Sequence, residues 1–249
     1  MCFVCAKRSK LFTQSLTGTP DRRPFTHYLY GMKIHSAEFV ISNTDPAKCP
    51  KPDRPEYAFI GRSNVGKSSL INRLVQKNDL AKTSGKPGKT QLINHFNING
   101  NTKLEKHWYL VDLPGFGFAK VPKTIREQFA TIISGYLTTR PNIQCIFVLI
   151  DMRIPPQQID LDFMTRLGEQ ELPFAMIFTK TEKIKSGGRQ MAMDAYRLAM
   201  SEIFDTFPLY FITSAVSGEG RDDVLNYIDE LNQAYVPSAT RVPSVTRRG

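Results

Sequence analysis

Gly61-Arg62-Ser63-Asn64-Val65-Gly66-Lys67-Ser68 follows the apolar run Tyr57-Ala58-Phe59-Ile60 and leads into the amphipathic stretch Ser69-Leu70-Ile71-Asn72-Arg73-Leu74-Val75. The octet fits G-x-x-x-x-G-K-[ST] at every fixed position, and it lies between a strand and a helix, where that pattern forms a phosphate-binding loop. Glycines at 61 and 66 let the backbone aim successive N–H groups at phosphate oxygens, and the helix N-terminus adds its positive dipole end. Lys67 is expected to reach the β- and γ-phosphates and Ser68 to offer its hydroxyl to Mg²⁺. Arg62, Ser63, Asn64, Val65 and Ser69 complete the cradle.

Outward from this loop, strand-like and helix-like segments alternate. That is the pattern of an α/β protein whose mostly parallel central sheet is flanked by helices on both faces, and with the phosphate loop 61–68 it makes a P-loop nucleoside triphosphatase the expected fold, a G domain if the later motifs hold. Strands are predicted at 37–42, 57–60, 92–98, 108–111, 143–150, 174–178 and 209–212. Helices are predicted at 67–76, 123–137, 159–169, 189–204 and 221–234. One G domain over 32–236 is expected between a disordered or mis-started extension at 1–31 and a basic disordered tail at 237–249. The extension is Arg/Ser/Thr-rich, so an amphipathic transit peptide is an alternative reading of it.

Composition narrows the classes. The 249 residues hold 33 Lys/Arg against 23 Asp/Glu, a net charge of +10, and the two tails carry +7 of that. The body is nearly balanced, so charge alone is a weak argument for a nucleic-acid partner. No apolar run approaches the roughly 20 residues of a membrane-spanning helix, so no membrane role is expected. Four cysteines are too few for a disulfide scaffold and point to a reducing, cytoplasmic compartment, and the lone Cys2-x-x-Cys5 lacks the further ligands of a zinc site.

Two further motifs describe a nucleotide switch. Trp108-Tyr109-Leu110-Val111 reads as a buried strand ending in Asp112-Leu113-Pro114-Gly115, 45 residues after the lysine. Asp112 is expected in the Mg²⁺ shell and the Gly115 amide on the γ-phosphate. Between the two motifs, the polar stretch 83–91 carries Thr90, expected to close over Mg²⁺ when a γ-phosphate is present, with Thr83 as the competing choice. Lys67, Thr90 and Gly115 are therefore the expected catalytic set, and Ser68, Thr90 and Asp112 the expected metal ligands.

Base selection is expected at the ends of two later strands. Phe174–Phe178 runs into Thr179-Lys180-Thr181-Glu182, close to the N/T-K-x-D signature whose carboxylate accepts bonds from guanine N1–H and N2–H₂. A carboxylate rejects adenine because it is left unpaired. Glu182 is one methylene longer than the usual aspartate. Leu209-Tyr210-Phe211-Ile212 leads to Thr213-Ser214-Ala215, similar to the loop whose backbone amide bonds guanine O6. Lys82, Lys86 and Lys89, and Lys180, Lys183, Lys185 and Arg189, form two basic clusters, read either as solvated faces or as a surface for nucleic-acid phosphates.

These elements resemble the translation-factor-related class of GTPases. More narrowly, 61–72, Pro87-Gly88-Lys89-Thr90-Gln91 and Asp112-Leu113-Pro114-Gly115-Phe116-Gly117-Phe118-Ala119 resemble the EngB (YihA/YsxC) family of bacterial ribosome-biogenesis GTPases, as does the opening Met32-Lys33-Ile34-His35. The resemblance implies GTP/GDP cycling with Mg²⁺ in a monomer, assembly of the large ribosomal subunit with its precursor and ribosomal RNA as partners, and a link to cell division through septation. Phe116 stands where many GTPases place a water-orienting glutamine, so intrinsic hydrolysis of GTP to GDP and phosphate is expected to be slow. In related GTPases an asparagine at the position of Asn64 helps bind K⁺. The competing reading is a P-loop nucleotide kinase or ATPase in which Glu182 and Ser214 are incidental.

Overall fold

The computed structural model describes residues 31–81, 92–102, 106–116 and 123–237. In chain order the elements are β1 (Ala37–Asn43), β2 (Glu56–Gly61), α1 (Lys67–Val75), β3 (Ile93–Ile98), β4 (Trp108–Asp112), α2 (Lys123–Thr139), β5 (Ile143–Asp151), α3 (Gln158–Glu169), β6 (Phe174–Thr179), α4 (Ser186–Ser201), β7 (Tyr210–Ile212) and α5 (Arg221–Ala234). The strands form one seven-stranded sheet in the order β1-β3-β4-β2-β5-β6-β7. β1–β3 and β3–β4 pair antiparallel and the remaining pairs are parallel.

β2 is central and every residue of it is buried, because helices cover both faces of a parallel sheet and its strands are apolar throughout. Successive residues point to opposite faces. Tyr57 and Phe59 join Phe147, Leu70, Leu74, Val224 and Ile228 on the side of α1 and α5. Ala58 and Ile60 join Val111, Val148, Tyr136, Met164 and Tyr196 on the side of α2, α3 and α4. Trp108 is fully buried, edge-on to Tyr57 at 5.4 Å, a core side chain.

The segment ends differ from the sequence expectation mainly at α4, which begins at Ser186 and ends at Ser201 rather than spanning 189–204. Gly187 and Gly188 read as loop residues, yet they occupy the first turn, where exposed positions tolerate glycine at about 1 kcal/mol. Ile203 and Phe204 leave the helix and pack on the α4 face of the core. No helix among the described residues is long and apolar enough to cross a membrane.

Candidate nucleotide-binding site

β2, β4, β6 and β7 end at the same edge of the sheet, and β2 is the strand from which the parallel order runs in both directions. Ligands of open α/β sheets bind at such a carboxyl edge. Immediately after β2 the chain makes the tight turn that the glycines promise. Gly61 packs so closely on β5 that a Cβ there would sit 2.7 Å from the Leu149 carbonyl oxygen. Asn64 (φ 63) and Gly66 (φ 103) are left-handed, which lets the turn run directly into α1, whose first residue is Lys67.

Lys67 is buried, and its Nζ donates to Asp112, also buried at the end of β4. Gly115 is buried beyond it, and the Phe116 amide donates to the Gly61 carbonyl at 3.2 Å, joining the two motifs through the backbone. Ser68 is half-buried and Ser69 exposed in the first turn of α1, and Val65 is buried under the loop. Thr90 and Thr83 lie outside the described residues. So do Lys82, Lys86 and Lys89.

Thr179 ties β6 to the phosphate loop. Its hydroxyl lies 2.6 Å from the Val65 carbonyl oxygen and 3.1 Å from that of Ile150. Lys180 is left-handed (φ 61). Its stem passes beside Gly66, and its ammonium donates to the Asn64 carbonyl and, at 2.9 Å, to Asp151. Burial raises the Asp151 carboxyl, but Arg153 and Lys180 overcome this and hold it at about 2. Glu182 is exposed in the short 3-10 turn Thr181–Lys183. Thr213 and Ser214 are buried after β7, the Thr213 amide donating to the Phe178 carbonyl at 2.7 Å, and Ala215 is half-buried.

Several residues around this site escape a reading by motif. Arg62 donates through Nε to both oxygens of Asp160, at 3.0 and 2.9 Å, and Asp160 is fully buried in the first turn of α3. Burial pushes that carboxyl up to about 6, with Arg62 opposing the rise. One turn on, the Phe163 ring stacks on Phe116 at 4.6 Å and 21°. α3 thus holds both the phosphate loop and the residue after Asp112-Leu113-Pro114-Gly115. One signal was legible: Asp160 shares a helix face with Phe163, Met164 and Leu167, and a carboxylate on an apolar face requires a partner. Asp151, Arg153, Thr181, Arg189 and Glu219 carried no such signal.

The expected basic cluster at 180–189 is partly engaged within the protein itself. Lys180 is bound to Asp151 and Asn64, and Arg189 to Glu219 at 2.7 Å. Of the four, only Lys183 and Lys185 are exposed with no ion pair among the described residues.

The arrangement suits a phosphorylated ligand. Lys67 supplies a buried cation, and Ser63 Oγ is buried with no hydrogen-bond partner among the described residues. The Ser68 hydroxyl and the Asp112 carboxylate are the hard oxygen donors that Mg²⁺ prefers.

A mostly parallel sheet with a phosphate loop, an Asp-x-x-Gly turn and a Thr-Lys turn along one edge is the arrangement of a P-loop GTPase domain, and residues 56–180 match the family described as 50S ribosome-binding GTPase. The chain is 54% identical over 203 residues to a probable GTP-binding protein EngB of Flavobacterium johnsoniae, covering 81% of this chain and 94% of that one. It is 53% identical over 202 residues to the corresponding Bacteroides fragilis protein, covering 81% and 98%. This chain belongs to the EngB family of GTP-binding proteins. A crystal structure of a probable GTP-binding protein EngB superposes with a TM-score of 0.55 at 26% identity, covering 72% of this chain and all of that one. The structure of Era in complex with MgGDPNP and a segment of 16S ribosomal RNA shares the fold, with a TM-score of 0.58 at 20% identity over 72% of this chain and 57% of Era.

Proposed function

We propose that this chain is a GTP-driven switch in ribosome biogenesis, docking on a precursor of the large ribosomal subunit when loaded with GTP and leaving after hydrolysis. The match to a family described as 50S ribosome-binding GTPase carries the reading. In it, 32–236 acts as one cytoplasmic, monomeric G domain, with a link to cell division through septation. Lys67 and the amides of 61–69 bind the phosphates, and Gly115 reports the γ-phosphate. Thr179 and Lys180 brace the base side, Glu182 accepts from guanine, and Thr213-Ser214-Ala215 faces guanine O6. Ser68, Asp112 and Thr90 would hold Mg²⁺, which neutralises phosphate charge when bound. Co-sedimentation with large-subunit precursors is expected to be at least about tenfold stronger with a non-hydrolysable GTP analogue than with GDP. Equal binding in both states overturns the switch.

Hydrolysis by this chain alone is slow in this reading. An apolar ring cannot orient water, and Phe116 is turned onto Phe163. In the same reading Asn64 helps hold K⁺, whose charge would serve where an arginine finger serves elsewhere. Turnover is expected to rise roughly tenfold when K⁺ replaces Na⁺. Asn64→Gly, which suits the left-handed backbone and deletes the amide, is expected to remove that difference. Identical turnover of the unmodified protein in the two salts contradicts the K⁺ assignment.

A further inference from the structure

Glu182 follows Thr181, and Thr181 sits in a closed network that joins the two base-side loops. Thr181 is fully buried, and its hydroxyl is shared between the Thr213 carbonyl oxygen at 3.0 Å and Glu219 Oε2 at 2.9 Å. Glu219 Oε1 accepts from Arg189 Nη1 at 2.7 Å, and Arg189 Nη2 donates to the Thr181 carbonyl at 3.0 Å. The Glu219 carbonyl accepts from the Ser214 amide at 3.1 Å. One arginine from α4 and one glutamate from the β7–α5 connection therefore grip the residue before Glu182 at both its side chain and its backbone, while the same glutamate fixes Ser214.

The Glu219 end of this grip is itself rigid. Gly220 is left-handed (φ 70), and a Cβ there would lie 2.0 Å from the Ile212 carbonyl oxygen, so the chain beyond Glu219 is pressed against β7. Arg189 and Glu219 side chains are 31% and 39% exposed, and an ion pair so open to water adds little to stability on its own. Its consequence is positional.

We propose that Thr181, Arg189 and Glu219 are positioning residues that set guanine selectivity by fixing the Glu182 carboxylate against the Ser214-Ala215 loop. Glu182 has one more rotatable bond than aspartate and reaches roughly 1.5 Å further. A carboxylate on that longer arm meets both guanine donors only if its backbone is held at a set distance from the amides that face the adjacent O6 on the same edge of the base. The clamp supplies that distance. It leaves the phosphate side untouched, because no member of the network bonds a residue of 61–69 or 112–115.

This inference rests on the guanine reading of Glu182, and inosine diphosphate separates the two. Inosine keeps O6 and N1–H but lacks the exocyclic 2-amino group. Equilibrium binding of GDP and inosine diphosphate is measured for the full chain and for Arg189→Ala, Glu219→Gln, Thr181→Val, Thr181→Ser and Glu182→Gln, each checked for folding by thermal melting. The unmodified protein is expected to prefer GDP by roughly 10-fold or more, the worth of one hydrogen bond to an ionised acceptor. Arg189→Ala, Glu219→Gln and Thr181→Val are expected to shrink that preference at least about threefold, through loss of GDP binding, whereas Thr181→Ser keeps it because the hydroxyl remains. GDP and inosine diphosphate weakening by the same factor, or neither weakening, overturns the clamp as a selectivity device. If the unmodified protein and Glu182→Gln show no preference at all, the guanine reading fails and the clamp falls with it.

Discussion

Lys67→Met is expected to weaken GDP and GTP binding by about 100-fold or more, in Mg²⁺ and in EDTA alike. Lys67 is the buried cation of the phosphate loop and aims its ammonium across the gap to Asp112. A charge-assisted bond to a phosphate is worth roughly twice a neutral one, Lys67 would make such bonds to more than one phosphate oxygen, and methionine keeps the stem while removing all of them. Asp112→Asn separates the two roles at this corner. Its loss is expected only when Mg²⁺ is present, because Asp112 acts on the phosphates through the metal in the proposed reading. Titration calorimetry in both buffers reads the difference. A Lys67→Met protein that melts normally and binds GDP with unchanged affinity would remove the phosphate loop from the account.

Glu56→Ala is expected to give the largest loss of stability, about 3–5 kcal/mol, at the end of the sheet away from the site. Glu56 opens β2 and is fully buried. It accepts from Tyr136 at 2.7 Å and from the Arg140 guanidinium, both on or just beyond α2, and the His95 ring of β3 lies 3.7 Å away. Truncation strands an arginine whose side chain is 8% exposed. The same cluster predicts a pH dependence. Burial alone would raise the Glu56 carboxyl, but the His95, Arg140 and Tyr136 side chains reverse this and hold it at about 2, below its ordinary 4.5. A depressed carboxylate contributes stability above the unfolded value and loses it as pH falls through the folded one. About 3 kcal/mol should therefore disappear between roughly pH 4.5 and 2, and denaturant titrations of Glu56→Gln should show a flatter curve across that window. Parallel curves for the two proteins would contradict the cluster.

What was legible in the sequence follows a physical division. The octet 61–68 specifies its own backbone, because two glycines, a lysine and a serine at fixed spacing leave few ways to fold between a buried strand and a helix. The buried strands read directly from their apolar runs. The antiparallel placement of β1 and β3 on one flank did not, since pairing partners are chosen by tertiary packing rather than by local pattern. The phosphate-side and base-side motifs were both read as local signatures, yet the bonds that hold them together span long separations. Arg62 meets Asp160 across 98 residues, and Thr179 meets Val65 across 114. Nothing in the neighbourhood of Glu219 marks it as the partner of Arg189 and Thr181, because only the parallel order of β6 and β7 brings their following loops side by side. The basic cluster at 180–189 meets the same limit, since sequence shows where cations are and only the fold shows which are already paired.

In the proposed function, a base-reading corner ending in Glu182 makes this P-loop protein a guanine-nucleotide switch. The most direct measurement is displacement of fluorescent GDP from the full chain in Mg²⁺ by unlabelled GDP, GTP, ADP and ATP. GDP and GTP are expected to displace the probe at concentrations at least about 100-fold below those of ADP and ATP, as a site built around hydrogen-bonded base edges requires. Displacement by the adenine nucleotides at matching concentrations would contradict it and turn the reading toward a P-loop kinase or ATPase.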